Sequence, residues 1–389
     1  MRRVLLADVV LEARPGFASG ADLPGGVLQV RMNNVSRQGD LDFAKQRRVP
    51  VNGRIERFLL RTNDVLFNAT NSPDLVGKTT LFREIGEPVV FSNHFLRLRV
   101  DARQIDAAYL TRWMQWQHTR GTFGAMSQQW VNQAAVRTDR LLSMEIPLPP
   151  LDEQRRIVCV LDVAATLRQR QSLVTELTLS LVDAGFLDAF GDPVRNTGRW
   201  PKRAITDVGM VVTGNTPPRS NPTNYGGYLG WVKNDDIRAD RLYVMRPAES
   251  LSEVGASRGR IVAPGSVLVT CISGSPSAIG RVAMARETVA FNQQINAVVP
   301  DDVDARFLCA QLRLLRAVLR HASTGGMKGL ISKSSLKQVS LIVPPKAAQA
   351  SFGRLFDAVA AQLARCETRS ARLDVLFTTL QRRAFSGTL

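Results

Sequence analysis

The chain has 389 residues, with 51 Lys plus Arg against 34 Asp plus Glu and a formal net charge of +17. Its 44% hydrophobic and 22% charged residues are those of an ordinary globular protein and exclude disordered, collagen-like and low-complexity classes. No apolar run reaches the roughly 18 residues of a membrane span, and the N-terminal MRRVLLADVV meets Asp8 too early for a signal peptide; the expectation is a soluble cytoplasmic protein with no membrane partner.

In chain order, residues 1–145 read as short strands rich in β-branched and aromatic side chains, among them 65–67, 89–91 and 95–100, followed by a helical stretch at 107–118. Residues 146–191 begin Ile146-Pro147-Leu148-Pro149-Pro150 and continue as a long helix in which Val160, Leu167, Val174 and Leu181 recur every seven residues. Residues 192–343 return to the strand-rich pattern, with strands at 267–271 and 289–291 and a helix at 305–322. Residues 344–389 form a second long helix, with Val359, Cys366, Leu373 and Leu380 at the same seven-residue interval. Such a row is what two helices need to wrap on each other, because about 3.5 residues per turn keeps one stripe facing the partner. Roughly 36 residues at about 1.5 Å each make a rod of about 54 Å.

The chain is therefore written twice. Ile146-Pro147-Leu148-Pro149-Pro150-Leu151-Asp152-Glu153-Gln154 is matched by Leu341-Ile342-Val343-Pro344-Pro345-Lys346-Ala347-Ala348-Gln349, and Ala189-Phe190 by Ala384-Phe385. Upstream, Asn33-Asn34-Val35 is matched by Asp235-Asp236-Ile237, and Val76-Gly77-Lys78 by Ile279-Gly280-Arg281. Collinearity of this extent predicts two similar α+β blocks, each with a mainly antiparallel sheet and each followed by a long helix. The charge excess lies mostly in the blocks, +6 in residues 1–145 and +9 in residues 196–343; the first long helix region carries −2 and the second +4.

Catalytic signatures are missing or broken. Ser72-Pro73-Asp74-Leu75-Val76-Gly77-Lys78-Thr79 lacks the first glycine of a phosphate loop and is followed by a strand or turn instead of the helix whose N-terminus would hold the phosphate. Asn221-Pro222-Thr223-Asn224-Tyr225 lacks the second proline of the corner used by adenine methyltransferases, and the paired Asp235-Asp236 has no third carboxylate in a nuclease spacing. Cys159, Cys271, Cys309 and Cys366 are scattered among apolar neighbours, and His94, His118 and His321 are the only histidines, too few ligands for a zinc site. The reading is a binding protein with no catalytic residues, metal or cofactor of its own.

The string Ile146 to Ile157, the helix ending Phe186-Leu187-Asp188-Ala189-Phe190-Gly191, the segments Gly214-Asn215-Thr216-Pro217-Pro218 and Trp231-Val232-Lys233-Asn234-Asp235-Asp236-Ile237, and the terminal Leu380-Gln381-Arg382-Arg383-Ala384-Phe385-Ser386-Gly387 together resemble type I restriction-modification specificity subunits. The resemblance covers essentially the whole chain. It departs from the pattern at Glu12 to Gly20, which lacks a clear G-x-T-P opening, and at Lys346-Ala347-Ala348-Gln349, which lacks the Glu. It implies two target recognition domains, residues 1–145 and 192–343. Each reads one half of a bipartite duplex DNA site, and two long helices, residues 146–191 and 344–389, form an antiparallel coiled coil between them. It further implies two methyltransferase subunits docked on the helices and carrying S-adenosylmethionine, and restriction/translocase subunits that join for cleavage.

Base edges are read by fork-shaped donors and amides. The candidates in the first block are Arg31, Asn33, Asn34, Asn68, Asn71, Lys78, Gln128, Gln129 and Asn132. In the second they are Arg219, Lys233, Asn234, Arg238, Arg281, Gln293, Gln294, Lys328 and Lys333. Two other readings stand beside this one: a tandem-repeat DNA-binding repressor or scaffold without a methylase partner, and a self-contained restriction or methylation enzyme.

Overall fold

The computed structural model describes residues 2–50, 55–321 and 329–389. Its contacts divide the chain into two units, Met1–Gln169 with Arg372–Leu389, and Arg170–Ala371.

The first unit holds β1 (Arg3–Leu5), β2 (Val10–Pro15), β3 (Val27–Val30), β4 (Arg48–Val49), β5 (Val65–Asn68), β6 (Thr70–Asn71), β7 (Thr79–Leu81), β8 (Val89–Phe91), β9 (Phe95–Val100), β10 (Gln128–Trp130), β11 (Gln133–Ala135) and β12 (Glu145–Pro147). Its helices are α1 (Ala107–Thr119), α2 (Thr122–Met126), α3 (Thr138–Leu142) and the first part of α4 (Leu151–Phe190). An antiparallel sheet of order β2-β9-β5-β7 packs α1 on one face. A second sheet, β4-β3-β8, contains a parallel pair, Leu28 opposite Val89. The β1–β12 pair brings the two ends of the block together just ahead of α4.

The second unit holds β13 (Lys202–Ala204), β14 (Gly209–Thr213), β15 (Tyr225–Val232), β16 (Glu249–Leu251), β17 (Ile261–Val262), β18 (Val267–Thr270), β19 (Ile272–Ser273), β20 (Val282–Met284), β21 (Val289–Phe291), β22 (Ile295–Pro300), β23 (Gly329–Leu330) and β24 (Ser340–Ile342). Its helices are α5 (Glu253–Arg258), α6 (Ala305–Leu314), α7 (Arg316–His321), α8 (Lys333–Lys337) and most of α9 (Lys346–Ser386). The order β14-β22-β18-β20 repeats that of the first unit strand for strand. The parallel pair recurs between β15 and β21, and the closing pair between β13 and β24. The single helix expected over 305–322 is two, because Leu315 ends α6 and α7 starts at Arg316.

One device fixes each block to its long helix. Gln154 is fully buried; its amide donates to the carbonyls of Pro149 (2.8 Å) and Gln104 (3.0 Å), and its oxygen accepts from Asp106 N (2.8 Å). In the second unit Gln349 donates to Pro344 O (2.7 Å) and accepts from Asp304 N (2.9 Å). Asp106 and Asp304 are the N-caps of α1 and α6, so each glutamine ties a helix start to the Pro-Pro turn. The ion pairs Arg112–Asp162 (2.6 Å) and Arg306–Asp357 (2.5 Å) add a second tie in each unit.

Within each unit the long helices run antiparallel. In the first, Arg156 donates to Leu389 O (2.9 Å), and Arg168, twelve residues further along α4, pairs with Asp374 (2.7 Å) and lies over the Phe377 ring at 4.6 Å. In the second, Phe190 meets Phe352 while Leu355 crosses Gly185, where a Cβ would stand 2.2 Å from its Cδ2.

The expected row on α9 is the packed one: Val359 and Cys366 are buried, and Leu373 and Leu380 are half-buried. On α4 the structure corrects the reading. Leu167, Val174 and Leu181 are exposed, Val160 is half-buried, and the buried stripe is Gln154, Ile157, Leu161, Ala164, Thr178, Val182, Phe186 and Phe190. The reason is steric. Gly185 lets Leu355 approach closely while Phe186 and Phe190 fill the space against Phe352, and Thr178 is cheap to bury because its hydroxyl donates to Val174 O at 2.7 Å.

Candidate nucleic-acid interface

In the first unit, three candidates turn inward. Asn34 accepts from Arg31 N (2.9 Å) and donates to Asp42 O (2.9 Å) and Lys45 O (3.1 Å). The buried Lys78 ammonium donates to Met32 O (2.7 Å) and Val35 O (2.5 Å), and burial pushes it below the ordinary lysine value. Both side chains are buried and spend their donors on the loop that follows β3, so they shape this surface from within. Asn68 is likewise fully buried; its amide donates to Thr70 O and His94 O, and its oxygen accepts from Asn71. These three are corrections to the candidate set, and their cause is common: loop backbone leaves carbonyls that a buried amide or ammonium must satisfy.

What remains outside is more coherent. Strands β10 and β11 form a hairpin whose β11 edge pairs with β6, Ala134 opposite Asn71. One small sheet therefore carries Asn71, Gln128 and Gln129, with Asn132 at the turn. Gln128, Gln129 and Asn132 are exposed, and Asn132 holds the left-handed φ of 63° that a tight turn requires and that asparagine tolerates. Trp130 and Val131 at the tip are 55% and 91% exposed. Sequence reasoning missed these two, although an apolar pair inside the run Gln128-Gln129-Trp130-Val131-Asn132-Gln133 is a detectable signal. Arg31 is half-buried and Asn33 exposed on the loop pinned by Asn34 and Lys78.

In the second unit, Lys233 and Arg219 come together on Glu249: Lys233 pairs with one carboxylate oxygen and Arg219 with the other at 2.8 Å. Lys233, then Arg219, hold the Glu249 carboxyl below its ordinary value. The Arg219 guanidinium also lies over Tyr225 (4.8 Å) and Trp231 (5.0 Å), an aromatic seat that fixes the plane of its donor fork. Glu249, Tyr225 and Trp231 were absent from the candidate set. Nearby, Gln293 accepts a hydrogen bond from Thr216, and Asn234 donates to Ile272 O (2.7 Å). Gln294 accepts from Asn292 (3.0 Å), and Arg238 forms a fork with Asp240 (2.7 and 2.9 Å). Lys333 is exposed at the start of α8, and Arg281 is half-buried. Lys328 lies outside the described residues.

Each unit thus carries polar side chains on its loops, in the first on the loop after β3 and the β10–β11 hairpin, and in the second on the loop after β15 and around Glu249. The arrangement offers amides, an aromatic-seated arginine and a lysine. Among the described residues no group of three His, Cys, Asp or Glu could hold a metal, and no helix is long and apolar enough to cross a membrane.

Comparison with known proteins agrees with this picture. Residues 38–171 and 198–373 match the family described as the type I restriction modification DNA specificity domain. The chain is 29% identical over 153 residues to the specificity subunit of the HindI type I restriction enzyme of Haemophilus influenzae, covering 38% of this chain and 32% of that one. It is 26% identical over 151 residues to the MjaIX specificity subunit of Methanocaldococcus jannaschii, covering 37% and 34%. The matched region thus spans about a third of these curated relatives' length. In fold, it superposes on a type I restriction-modification S subunit from M. genitalium with a TM-score of 0.58 at 12% identity, covering 99% of this chain and 96% of that one. A second chain, from a structure of type I R-M complex assembly and conformational transition, gives 0.57 at 18% identity, covering 100% and 98%.

Proposed function

The chain belongs to the type I restriction modification DNA specificity family, and from that premise we propose that it reads a bipartite duplex DNA site, one word per unit, without catalysing any reaction itself. The observation that carries this is the repetition of one strand order in both units with different polar side chains exposed on their loops. Equal scaffolds with unequal readers suit two different DNA words. In the first unit a two-stranded ribbon with Gln128, Gln129 and Asn132 has the size to enter a major groove, and amides there pair with adenine. In the second, Arg219 and Lys233 suit guanine O6 and N7, with Glu249 orienting them until DNA takes its place or accepting from cytosine N4.

The partners in this reading are methyltransferase subunits, two in number, which bind S-adenosylmethionine and transfer its methyl group to adenine, and restriction/translocase subunits that join them in the cytoplasm. On α4 the exposed Leu173, Val174, Leu177 and Leu181 form an apolar stripe that water solvates poorly, and the methyltransferase is its occupant in this reading. Mapping adenine methylation in cells expressing the full system tests the whole reading. Two short words separated by unspecified bases are expected, and a contiguous motif overturns it. Leu177→Glu with Leu181→Glu should abolish co-purification of the methyltransferase while the isolated chain keeps its duplex binding.

A further inference from the structure

The two units treat the basic residue after their shared glycine turn differently. In the first, Lys78 is spent on two main-chain carbonyls inside the fold. In the second, its counterpart Arg281 has a buried Nε with no partner and makes no side-chain hydrogen bond or ion pair among the described residues. The carbonyl before the glycine also changes its partner: Val76 O meets His118 Nδ1 at 3.1 Å, whereas Ile279 O accepts from Arg316 Nε at 3.5 Å. Arg316 donates as well to Ser277 O. Gly280, at φ 71°, lies so close under α7 that a Cβ would stand 3.2 Å from Arg316 Cγ, so the helix sits directly on the turn.

This brings Arg281, Arg316 and Arg320 into one neighbourhood, with Arg313 beside them. Burial, then the charges of Arg281, Arg320 and Arg313, hold the Arg316 guanidinium below its ordinary value. None of Arg281, Arg316 and Arg320 pairs with a carboxylate among the described residues, whereas Arg219, Arg238, Arg241 and Arg306 of the same unit all do. Residues 305–356 contain no Asp or Glu, and the carboxylate near Arg313 comes from Asp183 of α4. Like charges gathered without a counter-ion cost stability, and such an arrangement is kept where an anion completes it.

We propose that the turn at residues 277–281 and helix α7 form a backbone-phosphate anchor for duplex DNA, built from Arg281, Arg316 and Arg320 and present in the second unit only. It rests on the DNA-reading function above and assigns to it a sequence-independent contact. Arg316 is pre-oriented by the two carbonyls of the turn, Arg281 follows Gly280 in that turn, and the exposed Arg320 stands one helical turn after Arg316. A phosphate contact adds affinity and sets register on the duplex without choosing bases.

The test is binding of the full chain, with its methyltransferase partner, to a labelled duplex of mixed sequence, followed by anisotropy across about 50–200 mM salt. Each phosphate contact contributes about 0.9 to the slope of log K against log salt concentration. Arg320→Gln should therefore flatten the slope by about 0.9, and the triple variant with Arg281→Gln and Arg316→Gln by about 2.7. Lys at all three positions should restore most of the slope, and the methylated words should not change. An unchanged slope in Arg320→Gln, which is exposed and will fold, together with an unchanged slope in a triple variant that melts like the wild type, overturns the anchor. A change in either word also overturns it, because these arginines would then be reading bases. Failure of the wild type to bind duplex at all strikes instead at the DNA-reading function.

Discussion

Replacing Gln154 by Leu conserves side-chain volume at a position with no exposure, so the cost falls almost wholly on hydrogen bonding. Three bonds vanish: those to Pro149 O, Gln104 O and from Asp106 N. An orphaned buried N–H costs about 1–3 kcal/mol, and carbonyls, with two lone pairs each, rather less. The added apolar burial offsets part of this, leaving a net loss of about 2–4 kcal/mol. Gln349→Leu removes two bonds, to Pro344 O and from Asp304 N, for about 1–3 kcal/mol. For units of this size a kcal/mol moves the midpoint by about 2–4 °C, so the first variant should melt roughly 5–15 °C lower. Scanning calorimetry of the full chain is the assay, since Gln154→Leu should lower the transition of the first unit and Gln349→Leu that of the second. Shifts under about 1 °C for both variants would show that the Pro-Pro glutamine is not what ties block to helix, and a larger shift for Gln349→Leu would refute the bond accounting.

Other expectations follow from the same geometry. Lys78→Met should weaken recognition of the first word while leaving the salt slope of duplex binding unchanged, because the ammonium serves main-chain carbonyls; a flatter slope would return Lys78 to the DNA surface. Trp130→Ala, at an exposed hairpin tip, should alter the first methylated word, leave the second intact and shift the midpoint by under about 0.5 kcal/mol equivalent. Asp183 sits half-buried on α4 with one carboxylate oxygen unpartnered among the described residues, and burial raises its carboxyl above the ordinary value despite Arg313 nearby. Its folded form therefore binds the proton more tightly than the unfolded chain, so stability falls as pH rises through that window. Asp183→Asn should raise the melting midpoint at pH near 7 and lose that advantage below about pH 4, as melts across pH will show. Adding one heptad to both long helices, about 10.5 Å of rise or roughly three base pairs, should lengthen the spacer between the words without changing either.

The repeat was legible because its markers are local. A Pro-Pro turn, a glycine turn and an N-capping Asp each need their own residue type wherever they recur, so Gln154 and Gln349, or Gly77 and Gly280, stand out in the sequence without an alignment. The mainly antiparallel sheet of each block followed from the same markers, but strand order and the parallel pairs β3–β8 and β15–β21 join strands far apart in the chain and leave no periodic trace. The helix row illustrates the opposite limit. On α9 the apolar row and the packed row coincide; on α4 they do not, because Gly185 lets Leu355 approach and Thr178 is buried while Val174, Leu177 and Leu181 are left outside. An apolar period therefore shows that a helix has a face to cover without showing which neighbour covers it.

The candidate site obeys the same distinction. Asn34, Asn68 and Lys78 carry donors that suit base edges, yet those donors are equally what a buried loop carbonyl requires, and residue type does not separate the two uses. The repeat can. Where one copy spends a side chain inside, as Lys78 does on Met32 O and Val35 O, and the other leaves its counterpart Arg281 unpartnered among the described residues, the difference marks a place where the two units have been put to different work. The same comparison sets Arg31 and Asn34 beside Lys233 and Asp236. Both pairs share a bond from the backbone N–H of the first to the side chain of the second, 2.9 and 2.8 Å, but only Lys233 finds a carboxylate, Glu249. Structure kept in both copies is scaffold, and structure altered in one is where the two units differ in the contacts they can offer, to a backbone phosphate at Arg281 and to a base edge at Lys233.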